Sequence, residues 1–181
     1  MVRGFKARAN RIAVEIRETL GLSASDPLNP LAVCDYFEIE VVPLSRFGDE
    51  VSHFTRAERN AFSAVTVPCG LKRAIVHNDS HHPDRQRSNL MHELAHAFLG
   101  HAPCAAFDCD GERNYNGGIE AEAAFLSGSL LISNEAAWHI VRSDLIGVAR
   151  RMYGVSKTML DYRLRVSGAL KRAGYLRGRA A

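Results

Sequence analysis

The sequence predicts an α+β fold, in which a small, mostly antiparallel sheet packs against a central helix and further helices lie at both ends of the chain. Three observations support this. Apolar residues recur at helical spacing near both ends, two β-type runs at 61–67 and 72–78 lie close together, and residues 90–98 carry one apolar stripe. With 181 residues, we expect residues 1–181 to form a single domain whose last part, from about 134 to 181, is a helical segment.

The N-terminal third begins with an amphipathic helix predicted over residues 4–20 and ended by Gly21. Pro30 favours the start of a short helix that continues to about Phe37, and a strand ending at Pro43 follows. Residues 44–59 are charged and irregular, which indicates a surface loop. The apolar face of the first helix comprises Ala9, Ile12, Ile16 and Leu20.

Two strands are predicted next, at 61–67 and 72–78, joined by a turn at Pro68-Cys69-Gly70. The adjacent histidines His81 and His82 then lie in a polar loop beside Pro83. We expect both to be solvated, and Ser80 or Asp84 to cap the helix that follows.

The segment 90–99 predicts the central helix, with Leu90, Leu94, Phe98 and Met91 on its apolar face. It contains His-Glu-x-x-His, and on a helix His92 and His96 lie one turn apart, so both can reach one metal ion. Glu93 lies beside them, and Gly100 is a helix stop. Since the pattern also occurs by chance on surface helices, a third ligand is needed to establish a metal site.

This residue set suits hydrolysis by a metal-activated water. A catalytic zinc takes three protein ligands and leaves a fourth position for water, whose pKa it lowers from about 15.7 towards 7. Glu93 would accept the proton of that water as it attacks a carbonyl.

The third ligand is sought after the Gly-, Asn- and Asp-rich segment 102–118, a length typical of a functional loop. A helix is predicted over 119–131, and Glu120 and Glu122 point about 200° apart on it. Glu120 shares its face with small residues that permit a close approach to the central helix, which favours Glu120 but leaves Glu122 open. These small residues are Ala123, Ala124 and Ser127.

The C-terminal segment predicts two or three helices, about 134–152 and then 156–173. The string from Val155 to Leu164 is compatible with the second helix of a helix-turn-helix, but one basic helix is a weak indication of DNA binding. We favour a packing helix with Met159, Leu160, Tyr162 and Leu164 in the core.

Taken together, the chain resembles the ImmA/IrrE-type metallopeptidases, a gluzincin-like group of zinc proteases. The resemblance covers most of the chain up to about residue 166. Its ordered pieces are Val76-His77-Asn78, Arg85-Gln86-Arg87, the stretch from His92 to His101, Ile119-Glu120-Ala121-Glu122-Ala123, Leu130-Leu131-Ile132, Tyr153-Gly154-Val155-Ser156 and Arg163-Leu164.

The resemblance implies a zincin-like metallopeptidase domain with His92, His96 and Glu120 as ligands of Zn²⁺ and Glu93 as the general base. Two positions depart from the family pattern. Ala124 replaces the Asn that usually follows the ligand glutamate by four residues, and Ser133 replaces a common Pro. Because partners of metal ligands tune affinity by about 10- to 100-fold, Ala124 bears on metal affinity or rate without removing a ligand.

The expected activity is that of a zinc endopeptidase. The strand around residues 74–77 would pair with an extended substrate, and Tyr115, His77 and His139 are equal candidates for stabilising the tetrahedral intermediate. The resemblance further implies a protein substrate, a helix-turn-helix transcriptional repressor, in stress-response, mobile-element or toxin–antitoxin settings.

Two alternatives remain open at this level. The protein could bind a repressor without cleaving it, with Ala124 marking weakened catalysis. Alternatively, the C-terminal helices could bind DNA around a structural zinc, which requires a fourth protein ligand, and His101 or Cys104 are the places to look for one.

Composition argues against the DNA-binding alternative. A net charge of +3 with 24% charged residues is far from the concentrated positive patch of a nucleic-acid binder, so we expect no direct binding of nucleic acid. With no long apolar run and no signal-like N-terminus, we expect a cytoplasmic protein without membrane association. The four cysteines lack paired spacing and are expected to be free thiols, namely Cys34, Cys69, Cys104 and Cys109; the last two leave a redox or metal role open. The sequence indicates no oligomeric state.

Overall fold

A computed structural model describes residues 2–56, 58, 60–70, 72–101 and 117–179. The strands in this part of the chain are β1 (Glu40–Pro43), β2 (Ala64–Cys69) and β3 (Lys72–His77). The helices are α1 (Phe5–Thr19), α2 (Pro30–Tyr36), α3 (Ser52–Thr55), α4 (Pro83–Leu99), α5 (Gly117–Leu131), α6 (Asn134–Arg142), α7 (Ile146–Tyr153), α8 (Lys157–Val166) and α9 (Ala169–Arg179). The α+β class is confirmed, while the extent of the domain stays a prediction.

The sheet is mixed, which corrects the expectation of a mostly antiparallel one. Its order is β1-β3-β2, with β1 parallel and β2 antiparallel to β3. Parallel neighbours require a long crossover connection. Here the connection includes 3₁₀ turns at Leu44–Val51, α3 and β2 itself, so most of the predicted surface loop at 44–59 has local structure.

The central position of β3 also corrects the expected substrate strand. Both sides of β3 are occupied, with Ile75 aligned to Val41 on β1 and to Thr66 on β2. An edge strand is needed to accept another strand. Among the described residues, β2 rather than residues 74–77 is the edge next to α4.

A continuous apolar core lies between the helices and reaches the sheet. It includes side chains from Phe5 in α1 to Ala169 in α9, with Ile75 contributed by the sheet. α5 is buried at every position from Phe125 to Leu131, as expected of a helix that is apolar all round. α5 packs along α4 and α1, so its N-terminal turn is held against the central helix.

Two buried arginines hold the C-terminal end of α5. Arg17 of α1 donates from Nη2 to the Leu130 carbonyl at 2.8 Å, and from Nε to the Asp26 carbonyl at 2.8 Å. Arg163 of α8 donates from Nε to the Ile132 carbonyl, also at 2.8 Å. The last carbonyls of a helix lack intrahelical partners and carry a partial negative charge, so both cations are placed where they stabilise this end.

The C-terminal segment forms more helices than predicted. The expected helix over 134–152 is divided into α6 and α7 at Ser143–Leu145, where Asp144 has a left-handed φ of 56°. Ser133, the departure from the family's Pro, caps α6: its Oγ accepts from the Ala136 N–H at 2.9 Å and donates to the Ala24 carbonyl at 2.6 Å.

α8 packs into the core through Leu160 and Leu164, as predicted, and its Arg163 is fully buried. Tyr162 is exposed, so its expected place in the core is wrong. Met159 is partly buried against the core. This supports the interpretation of α8 as a packing helix.

Gly154 ends α7 where the backbone requires a glycine. Its φ is +58°, and a Cβ built there would lie 2.5 Å from Nε of Arg87 in α4. The end of the Arg87 side chain (Cδ, Nε and Cζ) therefore occupies the space that a side chain at position 154 would fill. This contact gives a physical reason for two of the family-like pieces, Arg85-Gln86-Arg87 and Tyr153-Gly154-Val155-Ser156, to occur together.

The structure bears in part on two further predictions, the state of the four cysteines and the lack of a membrane-spanning helix. Cys34 is buried, Cys69 is exposed, and both are free thiols; burial raises the pKa of the Cys34 thiol to about 11. Cys104 and Cys109 lie outside the described residues. In the described ranges, each helix is either too short or too polar to cross a membrane.

Candidate metal centre

α4 begins earlier than the apolar stripe suggested, at Pro83, and its cap is His82. The His82 Nδ1 accepts from the Asp84 N–H at 3.2 Å, which corrects the choice of Ser80 or Asp84. His81 is buried beside Asn89, with 3.2 Å between its Nδ1 and Nδ2 of Asn89. The expectation of two solvated histidines therefore holds for His82 and is wrong for His81.

The two faces of α4 differ as the sequence predicted. Leu90, Met91, Leu94 and Ala95 are buried in the core, whereas the side chains of the His-Glu-x-x-His pattern are partly exposed. Because the buried apolar face fixes the rotation of α4 about its axis, the rings of His92 and His96 are both directed away from the core, with centroids 4.8 Å apart.

Glu120 meets these rings from the first turn of α5. Its Oε2 lies 3.1 Å from His92 Nε2, its Oε1 lies 3.5 Å from His96 Nε2, and the two Nε2 atoms are 3.1 Å apart. Of the two glutamates left open by the sequence, Glu120 is therefore the one that joins the histidines. Ala123 and Ser127 are buried on the same helix, as the small-residue argument required, but Ala124 is exposed.

The geometry of this group fits a metal ion. Ligand atoms bound at about 2.0–2.1 Å in a tetrahedron lie about 3.3 Å from one another, close to the distances found between His92, His96 and Glu120. In the described part of the chain, these three side chains form a group whose ligand atoms all lie within 4.8 Å of one another. The donor set of two imidazoles and one carboxylate leaves a fourth position open.

The protonation of His96 also suits a ligand. Burial, together with the nearby His92, holds the pKa of His96 below its ordinary value. The imidazole is therefore favoured in its neutral form, the form in which a ring nitrogen can bind a metal.

The carboxylate of Glu93 is oriented by a hydrogen bond from the sheet rather than by one from His92, His96 or Glu120. Its Oε2 accepts a hydrogen bond from Thr66 Oγ1 of β2 at 2.7 Å. Burial raises the pKa of Glu93, and the Thr66 hydrogen bond and His92 oppose that rise. A carboxylate whose pKa moves up towards neutrality is better suited to both accepting and returning a proton.

His101 adds a contact that the sequence did not assign. Gly100 ends α4 in a left-handed conformation with φ 69°, and the His101 N–H donates to the His96 carbonyl at 3.0 Å. The chain thus turns back over the last helical turn, and Nδ1 of His101 lies 3.0 Å from Nδ1 of His96. The signal available in the sequence was a glycine followed by a histidine, five residues after His96.

The three candidates for stabilising an intermediate are not brought together. His77 is buried at the end of β3, where burial lowers its pKa, and its Nδ1 has no hydrogen-bond partner among the described residues. His139 is exposed on α6. Tyr115 lies outside the described residues, as does most of the predicted loop at 102–118.

Comparison with known proteins agrees with this arrangement. No curated protein sequence matches the chain. A family model described as Peptidase_M78, IrrE N-terminal-like domain, matches residues 34–165. The match covers more than half of the chain, from α2 to the end of α8, and it contains His92, Glu93, His96 and Glu120. The chain therefore belongs to the ImmA/IrrE-type family of peptidases.

Proposed function

We propose that the protein is a zinc-dependent endopeptidase that cleaves a helix-turn-helix transcriptional repressor. The observation that carries the proposal is the convergence of His92, His96 and Glu120 from α4 and α5, with Glu93 held separately by the edge of the sheet. Family membership supports peptidase activity in general.

Zinc is the metal proposed because imidazole and carboxylate ligands in a group of three are typical of its catalytic sites. When bound, zinc would supply a Lewis acid that polarises the scissile carbonyl and lowers the pKa of water. His92, His96 and Glu120 would hold it, and the buried face of α4 and the buried body of α5 would keep the three side chains in place.

Glu93 is proposed as the proton carrier. It lies next to His92 on α4, and its carboxylate is oriented by Thr66 at 2.7 Å. It would take the proton of the attacking water and deliver it to the leaving amine. The burial that raises its pKa favours the first of these steps, because it makes the protonated carboxyl easier to form.

β2 is proposed as the strand that binds the substrate backbone. As an edge strand it offers unpaired backbone groups to an extended peptide. Its Thr66 touches the general base, so a peptide paired with β2 would lie beside Glu93. The exposed side chain of Val67, with 37% of its surface accessible, would contact the same peptide.

The proposed substrate class follows from the family resemblance, and cleavage would relieve repression of stress-response, mobile-element or toxin–antitoxin genes. The test is incubation of the zinc-loaded full chain with a helix-turn-helix repressor whose gene is found next to its own. We expect cleavage by the wild type, none by Glu93→Gln, and none by wild type treated with a chelator, with cleavage restored by added zinc. An intact repressor after incubation with zinc-loaded wild type would contradict the proposal.

A non-proteolytic regulator is the second candidate, and Ala124 favours it. This residue follows Glu120 by one turn, and its methyl group cannot hydrogen-bond a ligand as the family's usual Asn can. In this case the protein would relieve repression by binding the repressor. The two candidates differ in Glu93→Gln, which would abolish derepression by a protease and leave derepression by a binding protein unchanged.

A further inference from the structure

We infer that His101 is a positioning residue for the metal centre: it accepts a hydrogen bond from His96 and so fixes which nitrogen of His96 is available to a metal. The inference rests on the proposed function in treating His96 as a ligand. It concerns a residue outside the group of ligand atoms at His92, His96 and Glu120.

The first step is geometric. Nδ1 of His101 lies 3.0 Å from Nδ1 of His96, with the ring planes inclined by 65°. The opposite nitrogen of His96, Nε2, is the one that lies near His92 and Glu120. His101 therefore contacts the far side of the ring, away from the ligand atoms, and is not placed as a fourth ligand through Nδ1.

The second step concerns the proton. Two ring nitrogens 3.0 Å apart need one proton between them. If it belongs to His96 Nδ1, then the Nε2 of the neutral His96 ring carries a free lone pair directed at the ligand group. If it belonged to His101 Nδ1, the neutral His96 ring would carry its proton on Nε2, where it would block metal binding. Only the first arrangement is compatible with the proposed metal site.

The third step explains why His101 can reach this position. Because Gly100 adopts a left-handed φ of 69°, the next residue folds back over the helix end, and the His101 N–H bonds to the His96 carbonyl. The same residue pair is thus joined twice, once through the backbone and once through the rings. The backbone of His101 is therefore held by the helix cap itself.

Outer partners of this kind usually come from carboxylates or backbone carbonyls, and their loss weakens metal binding by about 10- to 100-fold. Here a neutral imidazole takes that role. The arrangement also bears on Ala124, because His101 supplies an orienting contact to a ligand histidine in a chain that lacks the usual Asn.

The test compares His101→Leu, which removes the acceptor, with His101→Gln, whose side-chain oxygen retains one. Two readouts are taken on the full chain: the tautomer of His96 in the metal-free protein, from long-range ¹H–¹⁵N spectra of the imidazoles, and the zinc Kd, from competition with a chelator. We expect His96 to carry its proton on Nδ1 in the wild type and in His101→Gln, and to lose that preference in His101→Leu. The zinc Kd should rise by about 10- to 100-fold in His101→Leu and by clearly less in His101→Gln.

The inference is overturned if His101→Leu keeps the wild-type tautomer and zinc Kd, or if both variants weaken zinc binding equally, since a merely structural role would not distinguish the acceptor. Thermal unfolding of both metal-free variants checks that the comparison is between folded proteins. If the wild type itself binds no zinc, the proposed function fails, while the tautomer of metal-free His96 still decides the role of His101.

Discussion

The helical region, which carries Glu120, and the sheet region, which carries the Thr66 that hydrogen-bonds Glu93, differ in how well they are buried. The helical region, α1 together with residues 117–179, includes α5, which is buried at every position from Phe125 to Leu131. In the sheet region, residues 40–78, β2 has no fully buried residue, and Val67, Pro68 and Cys69 are exposed. α4 lies between them and carries side chains that point to both.

This difference indicates how the two tasks of the site are divided. The ligands sit on two helices whose other faces are in the core, where displacement is costly. Thr66, which orients Glu93, lies on a thinly covered edge strand, and segments with few buried contacts open at lower free energy. Under the proposed function, a fixed group of candidate ligands would thus be combined with an edge strand that can adjust to a peptide.

The largest effect is expected for Arg17→Met, at the end of α5 opposite Glu120. The carbonyls of Asp26 and Leu130, each 2.8 Å from the guanidinium, would lose this donor, and each buried acceptor left unsatisfied costs about 1–3 kcal/mol. We expect the free energy of unfolding to fall by about 3 kcal/mol or more. Denaturant unfolding measures this, with Arg11→Met, exposed on the same helix, as the matched control; equal losses in the two variants would contradict the account.

Gly154→Ala should have the next largest effect. The substitution places a methyl group within 2.9 Å of three Arg87 atoms at a φ of +58°, and such strain costs about 1–3 kcal/mol. The control is Gly147→Ala in the same helix, where no atom lies within 4 Å of the added Cβ and the gain in helix propensity should stabilise by up to about 1 kcal/mol. Opposite signs for the two changes in unfolding free energy are the expected outcome, and equal signs would contradict the backbone strain assigned to position 154.

In the sheet region, His77 should make stability depend on pH. Burial lowers the pKa of His77, and His81 adds to this while Asp79 opposes it. A base with a lowered pKa in the folded state binds its proton more readily when unfolded, so stability is lost as pH falls below about 6.5. We expect His77→Leu to lose less stability than the wild type between pH 7 and 5 in thermal unfolding. The exposed His139→Leu serves as the control, and an unchanged pH slope in His77→Leu would argue against this role.

Thr66→Val should have the smallest effect on stability and a visible effect on rate. It removes the hydroxyl that donates to Glu93 at 2.7 Å, and one hydrogen bond at a partly exposed site contributes about 1 kcal/mol or less. We expect kcat for peptide hydrolysis to fall by about 10-fold, a part of the 10²- to 10⁴-fold that general acid–base groups supply. Thr66→Ser keeps a hydroxyl and should retain most of the rate; a rate loss equal to that of Thr66→Val would show that the hydroxyl is not responsible.

Much of the fold could be predicted because its signals are local. The apolar stripe and Gly100 predicted the body and the end of α4, and Pro30 predicted the start of α2. The division of α6 from α7 could not be predicted in this way, because Asp144 adopts a left-handed conformation without a Gly or Pro to signal it. The order of the strands depends on a crossover that pairs distant residues, which no local pattern records.

In the candidate site, too, local features could be predicted from the sequence and contacts between distant residues could not. The four-residue spacing of His92 and His96 is a property of one helix, so it could be recognised directly. The choice of Glu120 over Glu122 depended on how α5 meets α4, and the small side chains favoured the glutamate that lies beside the two histidines. The contact of Thr66 with Glu93 joins residues that are distant in sequence. The burial of His81 depends on its contact with Asn89, eight residues later. Neither contact leaves a recognisable sequence pattern.

Metal content tests the central claim, that His92, His96 and Glu120 form one metal site in which Glu122 has no part. Each full-length protein is loaded with zinc, passed through a desalting column and measured for bound zinc by elemental analysis. We expect about one zinc per chain in the wild type and in Glu122→Ala, and little or none in His92→Ala, His96→Ala or Glu120→Ala. Zinc retained by Glu120→Ala and lost from Glu122→Ala, or absent from the wild type, would contradict the account.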